Sequence, residues 1–279
     1  MNWDTLFVFF DEHYKNIEKR FGQLQRKAKM KAIHKLRTSV RRITACMRLL
    51  QYIESDFAPD QFIQDIRPVF KQAGRVRDLQ VSLELIMNAE ESQMPEEVRA
   101  LFLAYSEFKI NEYSSNLMAG VAQANIEVLQ NARILLDNWT NNPLEHTALL
   151  QAKLTEDALA LAEREVIGLE EEQVHEVRLL VKTLRYSVEL YLCCTPANKR
   201  LLDVVVEVRN MHKLMGLWHD FLILRDNILA CRRFQSEKKS KRILKKSLKH
   251  VLPVVEQLRE RINIQWPGVV NRLRKISFE

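Results

Sequence analysis

Two stretches of this chain carry the same apolar rhythm. In IHKLRTSVRRITACMRLLQY, residues 33–52, the apolar positions are Ile33, Leu36, Val40, Ile43, Met47 and Leu50. In VHEVRLLVKTLRYSVELYLC, residues 174–193, they are Val174, Val177, Val181, Leu184, Val188 and Tyr191. Both sets step by 3, 4, 3, 4, 3, which places each on one face of an α-helix; a strand would need steps of two. A helix of about five turns with a continuous apolar seam must bury that seam against other helices. The rest of the chain agrees: 279 residues hold only six glycines and seven prolines, and turn dipeptides are few. The expectation is an all-α fold.

Beside each seam, one residue over and about 100° round the helix, runs a basic stripe. The first is His34, Arg37, Arg41 and Arg48, with Arg42 adjoining, and it spans about 21 Å at ~1.5 Å per residue. The second is His175, Arg178, Lys182 and Arg185. Solvated helix faces mix signs so that residues four apart can pair, yet no acid occurs between Arg26 and Arg48. Like charges held together cost stability unless an anion relieves them. Glu176 interrupts the second stripe. The plain alternative is that these bases flank the core, their stems covering apolar surface. A lone histidine beside an apolar face is usually structural; here each heads a basic stripe, where it could donate hydrogen bonds to phosphate oxygens.

A second pair of segments follows about 40 residues later. KQAGRVRDLQVSLELI (residues 71–86) aligns with KLMGLWHDFLILRDNI (residues 213–228), setting Lys71 over Lys213, Gly74 over Gly216, Arg77 over His219 and Asp78 over Asp220. The offsets are 141 (175 − 34) and 142 (213 − 71) residues, and two motifs at nearly one offset argue for an internal duplication. The halves are residues 1–141 and 142–279, divided at TNNPLEH, where Asn141, Asn142 and Pro143 break the pattern. Helical patterning predicts four long helices in each half. The first four start near Trp3, then cover about 23–53, 60–88 and 95–139; the second four cover about 144–166, 173–194, 197–234 and 237 onward, with Pro253 and Pro267 expected to kink or divide the last. Asp78 and Asp220 are expected to orient a neighbouring base or tie helices together.

H-x-x-R-x-x-x-R/K in both halves, followed by RRI and KTLRY, then GRVRD and GLWHD, resembles the CHAD family, the conserved-histidine α-helical domain. The resemblance covers essentially the whole chain. It implies two four-helix bundles related by a pseudo-twofold, packed around a basic central cavity, and it implies binding of inorganic polyphosphate and association with polyphosphate granules. Carried onto this sequence, His34, Arg37, Arg41, Arg42, Arg48, His175, Arg178, Lys182 and Arg185 would line the site, with Lys71, Arg75, Arg77, Lys213 and His219 flanking it. The chain departs from the family pattern at Thr44 and Thr183, where bases are common, at His219, and at Leu217, the counterpart of Arg75.

Net charge is +7 and the isoelectric point about 9.2, which fits an acidic partner. No Gly-rich phosphate loop and no carboxylate cluster is present, so a binding module is expected rather than an enzyme, with no metal and no cofactor. A metal-dependent phosphohydrolase built on His219–Asp220, with His175 and Asp226, is the catalytic alternative. RNA or DNA is the alternative polyanion. A stripe threaded with aliphatics offers little to read or stack bases, so a featureless phosphate chain suits it better. The basic run KKSKRILKKSLKH, residues 238–250, is either a solvated face or an extension of the anion site. The four cysteines, Cys46, Cys193, Cys194 and Cys231, sit among apolar residues and read as buried thiols of a reducing cytoplasm. No run reads as a signal peptide or a membrane span.

Overall fold

The structure, a computed structural model, describes residues 3–53, 57–138, 143–195 and 199–276. The described residues fold into α1 (Trp3–Leu24), α2 (Met30–Ile53), α3 (Asp60–Asn88), α4 (Glu96–Gln123), α5 (Glu127–Asn138), α6 (Pro143–Ala162), α7 (Glu171–Cys194), α8 (Lys199–Phe234) and α9 (Lys238–Leu273). Among them there is no strand. The two apolar seams lie on α2 and α7, and all twelve of their residues are 4% exposed or less. At ~25 cal/mol per Å², full burial of each such side chain contributes roughly 1.5–3 kcal/mol.

The packing partners repeat. In the N-terminal half α1 lies against α2, α2 against α3, α3 against α4, and α4 back against α1. In the C-terminal half the same ring is made by α6, α7, α8 and α9. The motif-bearing helices then meet across the halves, α2 on α7 and α3 on α8. The buried apolar side chains form one continuous core from Leu6 to Leu273.

Two sequence expectations need correction. The helix expected over 95–139 is two helices. Ala124 is extended (φ −74°, ψ 131°), and the Asn125 side chain accepts the Glu127 N–H at 2.8 Å. Asparagine offers the backbone this local alternative, so it ends one helix and starts the next although the apolar pattern runs on. The detached α5 is held on α1 by Arg133–Asp11 (2.8 Å) and by Gln130 to Tyr14 Oη (3.3 Å). Pro253 and Pro267, by contrast, do not divide α9: both lie inside one helix of 36 residues. Both rings face solvent, where water reaches the freed carbonyls, while Val251, Val255, Leu258, Ile262, Trp266 and Val269 keep the buried seam continuous. Three smaller shifts complete the comparison: α2 begins at Met30 rather than near 23, Cys193 is exposed while Cys46 and Cys231 are buried, and Asn141, Asn142 and the Cys194 side chain lie outside the described residues.

The start of α7 is fixed from several sides. The Glu170 N–H donates to Gln173 Oε1 at 2.9 Å, and Arg225 of α8 grips both oxygens of Glu171 at 2.6 and 2.9 Å. The preceding turn needs Gly168 at φ 77°. Arg259 of α9 closes it by donating to the carbonyls of Val166 (2.7 Å) and Leu169 (2.9 Å). These contacts set the register from which His175, Arg178 and Lys182 project.

Candidate functional site

The basic stripes of α2 and α7 come together where the two helices meet. Arg37 is partly buried on α2. Its Nη1 donates to the Phe70 carbonyl of α3 at 3.0 Å, and its guanidinium lies 4.5 Å from the Phe70 ring centroid. Arg41 lies over the same ring at 5.5 Å. Gly74 makes room for this arrangement: a Cβ there would sit 2.8 Å from Arg37 Nη1. At the aligned Gly216 nothing lies within 4 Å of such a Cβ.

The electrostatics are those of cations crowded out of water. Burial, then the neighbouring Arg41, holds Arg37 down at about 10. Burial, then Arg41, Arg178 and Arg37, holds Lys182 down at about 7. Arg178 is lowered by burial against the attraction of Asp220. The Nε atoms of Arg41 and Arg178 are buried without a hydrogen-bond partner. Among the described residues no ion pair within 4 Å involves Arg37, Arg41, Arg178 or Lys182.

The histidines answer to the same field. His34 is lowered by burial and then by Arg77, Arg41 and Arg37, and His175 by burial and then by Arg178 and Lys182. The His175 and His219 rings are 4.7 Å apart, and burial and Arg178 push His219 down to about 3. Burial, then Arg185, pushes His212 to about 3 as well. Neutral His212 can then accept from Arg185 Nη1 through Nδ1, at 2.9 Å. Asp78 and Asp220 are half-buried carboxylates within this field, and Glu84 pairs with Arg77 at 3.3 Å at its edge. Burial raises both aspartates against the pull of the arginines, Asp220 to about 6.

Two openings flank the α2–α7 contact. The first, about 550 Å³, has Arg41 and Lys182 half-buried in its wall, the exposed Arg48 and Arg67 at its rim, and both Thr44 and Thr183. The second, about 410 Å³, holds Arg42, Arg185, Arg209, His13 and the exposed Cys193. There Glu189 Oε1 accepts from Arg185 Nε (2.9 Å) and Arg209 Nε (3.0 Å), and Arg42 Nη1 lies 3.3 Å from His13 Nε2. Tyr186 borders both.

The sequence-predicted residues therefore sort into groups. His34, Arg37, Arg41, Arg77, His175, Arg178, Lys182 and His219 share one electrostatic cluster. Arg48 stands at the rim of the first opening, while Arg42 and Arg185 line the second. Lys71, Arg75 and Lys213 are exposed and line neither opening; Arg75 lies over Tyr113 of α4 at 5.3 Å. In the basic run 238–250, Lys238, Lys245 and Lys249 are exposed on α9, which packs on α8, α6 and α4. The two histidines of the phosphohydrolase alternative do meet, but Asp226 is exposed beside Arg225 at 2.9 Å. Among the described residues no three His, Cys, Asp or Glu side chains could hold a metal ion together.

Sequence reasoning missed Arg67, Arg209 and His212. For the two arginines the signal was present: extending the second motif four residues upstream sets Arg67 over Arg209, at the same offset of 142 (209 − 67), whereas His212 falls over Phe70.

The CHAD domain family model matches residues 9–229. The chain belongs to the CHAD domain family. The structure of this CHAD domain resembles the crystal structure of the CHAD domain from the plant Ricinus communis, with a TM-score of 0.73 at 13% identity, over 99% of this chain and 92% of that one. It also resembles PptA from Streptomyces chartreusis, with a TM-score of 0.63 at 18% identity, over 95% and 99%. At such identities the likeness concerns the fold. No curated protein matches the chain. Among the described residues no helix is long and apolar enough to cross a membrane.

Proposed function

We propose that this CHAD domain binds inorganic polyphosphate, without turning it over, in the cluster between α2 and α7. One observation carries the reading: Arg37, Arg41, Arg178 and Lys182, from both halves, are crowded and partly desolvated, with two orphaned Nε donors and, among the described residues, no ion pair within 4 Å. Partly buried positive charge in excess of its counter-charge costs free energy unless something anionic supplies the balance. A phosphate chain supplies closely spaced oxygens that Arg grips bidentately and Lys meets as a point charge. His34 and His175 would join as imidazolium donors once phosphate stands beside them. Among the described residues, Phe70 and Tyr186 are half-buried and Phe70 lies under Arg37 and Arg41, so no row of exposed rings follows the cluster to stack successive bases of a strand, which favours polyphosphate over RNA or DNA. Asp78 and Asp220 act here as supports for the arginines. The cytoplasm, and polyphosphate granules within it, is the setting this reading implies.

The test is binding of long-chain polyphosphate by the Arg37→Glu/Arg178→Glu protein, checked for an unchanged helical circular dichroism spectrum. Loss of at least about a hundredfold in affinity is expected, from two charge-assisted contacts of about 1.5–3 kcal/mol each. Full affinity in the folded variant would remove this cluster as the site.

A further inference from the structure

The two openings beside the α2–α7 contact occupy aligned places but have diverged in chemistry. Under the 141-residue register, Arg42 aligns with Thr183 and Thr44 with Arg185. Each threonine thus stands where the other copy has an arginine. In the structure the four sort by type: both arginines line the second opening and both threonines line the first. Likewise Arg48, at the first opening, aligns with Glu189, which at the second already holds Arg185 and Arg209. Among the described residues, Glu189 offsets part of the charge in the second opening, whereas no carboxylate lines the first, which keeps its cations beside two hydroxyls.

The first opening is also largely apolar. Ile63, Ile66, Phe70, Leu179 and Tyr186 form its walls, between the half-buried Arg41 and Lys182 and the exposed Arg48 and Arg67. A bare phosphate chain gains nothing from such walls and loses hydration beside them. A volume of about 550 Å³ lies in the range of small-molecule pockets, which are mostly apolar with a few placed polar groups.

We propose that this opening is a site for a nucleoside polyphosphate. The base lies against the rings and aliphatics of the wall, Thr44 and Thr183 meet polar edges of the base or sugar, and Arg41 and Lys182 take the phosphates. The proposal rests on the reading of Arg41 and Lys182 as phosphate-binding groups and adds a second ligand class to that site.

Calorimetric titration of the full chain with ATP, tripolyphosphate and long-chain polyphosphate tests it. ATP is expected to bind at least tenfold more tightly than tripolyphosphate, a chain of comparable charge without the nucleoside. Leu179→Trp, at a wall residue 42% exposed, should crowd the wall and bring the affinity for ATP down to that for tripolyphosphate. Thr44→Arg, restoring the aligned copy's charge, should raise tripolyphosphate affinity and lower that of ATP. Equal binding of ATP and tripolyphosphate, or a preference for ATP that survives Leu179→Trp, overturns the nucleoside site. If long-chain polyphosphate binds in that case, the polyphosphate reading stands alone. If ATP binds and long chains do not, the nucleoside site stands and the polyphosphate reading falls. If none of the three binds, both fall.

Discussion

Lys182 should make polyphosphate binding depend on pH in a range where few other groups titrate. In the free protein, burial and the arginines around it hold this amine at about 7. Bound phosphates would return it to the ordinary lysine value of 10.5 or above, so binding above pH 7 takes up one proton. The magnitude follows from occupancy. A group titrating at about 7 is roughly nine-tenths protonated at pH 6 and about one-hundredth at pH 9, so affinity should fall about 90-fold across that range, or ~2.7 kcal/mol. Histidine protonation adds to the change near and below neutrality. Between pH 8 and 9 the slope belongs to Lys182 alone and should be about tenfold. The assay is a titration with long-chain polyphosphate, whose internal phosphates stay ionised throughout, at fixed ionic strength because counterion release makes the affinity salt-dependent. Lys182→Arg should keep the affinity seen at pH 7 and lose the slope between pH 8 and 9. Lys182→Met should bind more weakly at pH 7 and be flat between pH 8 and 9. A wild-type affinity that does not change from pH 7 to 9, or a slope that persists in Lys182→Arg, would refute the reasoning.

Two further outcomes are expected. Gly216→Ala should stabilise α8 by about 0.5–1 kcal/mol, as alanine does in a helix interior, with binding unchanged; Gly74→Ala forces Arg37 off Phe70 and should weaken polyphosphate binding about tenfold or more, as paired urea melts and titrations would show. Stability should also fall on acidification from pH 6 to 4. There the unfolded chain binds protons on His212 and His219 that the folded protein, with both at about 3, does not, while Asp220, at about 6, holds one proton in the folded state only. The net difference of one proton from these three groups costs about 1.4 kcal/mol per pH unit. Urea midpoints should show it, with a flatter profile in His212→Gln/His219→Gln; a midpoint unchanged over this range would contradict the assignment.

What the sequence made legible was what periodicity encodes. The seams of α2 and α7 are local patterns, and all twelve of their residues are buried. The α4–α5 break was hidden because the apolar pattern continues through it, and only the Asn125 side chain marks the turn. The all-helical class followed from the same periodicity, but the site depends on how α2 crosses α7. No spacing rule says that Arg42 and Arg185 face one opening and Thr44 and Thr183 the other. The same holds for Phe70, whose ring lies under Arg37 and Arg41 and whose aligned partner is His212. Lys71 and Lys213 shared the motif but point to solvent, since motif membership fixes a register and not a side chain's neighbours.

A competition titration bears most directly on the claim that the cluster is built for a featureless phosphate chain. Labelled long-chain polyphosphate, bound to the full protein at 150 mM salt, is displaced in turn by unlabelled polyphosphate, tRNA and duplex DNA at equal phosphate concentration. Polyphosphate should displace it at far lower concentration than either nucleic acid. Displacement by tRNA or duplex DNA at equal or lower concentration would contradict the account and make the cluster a nucleic-acid site.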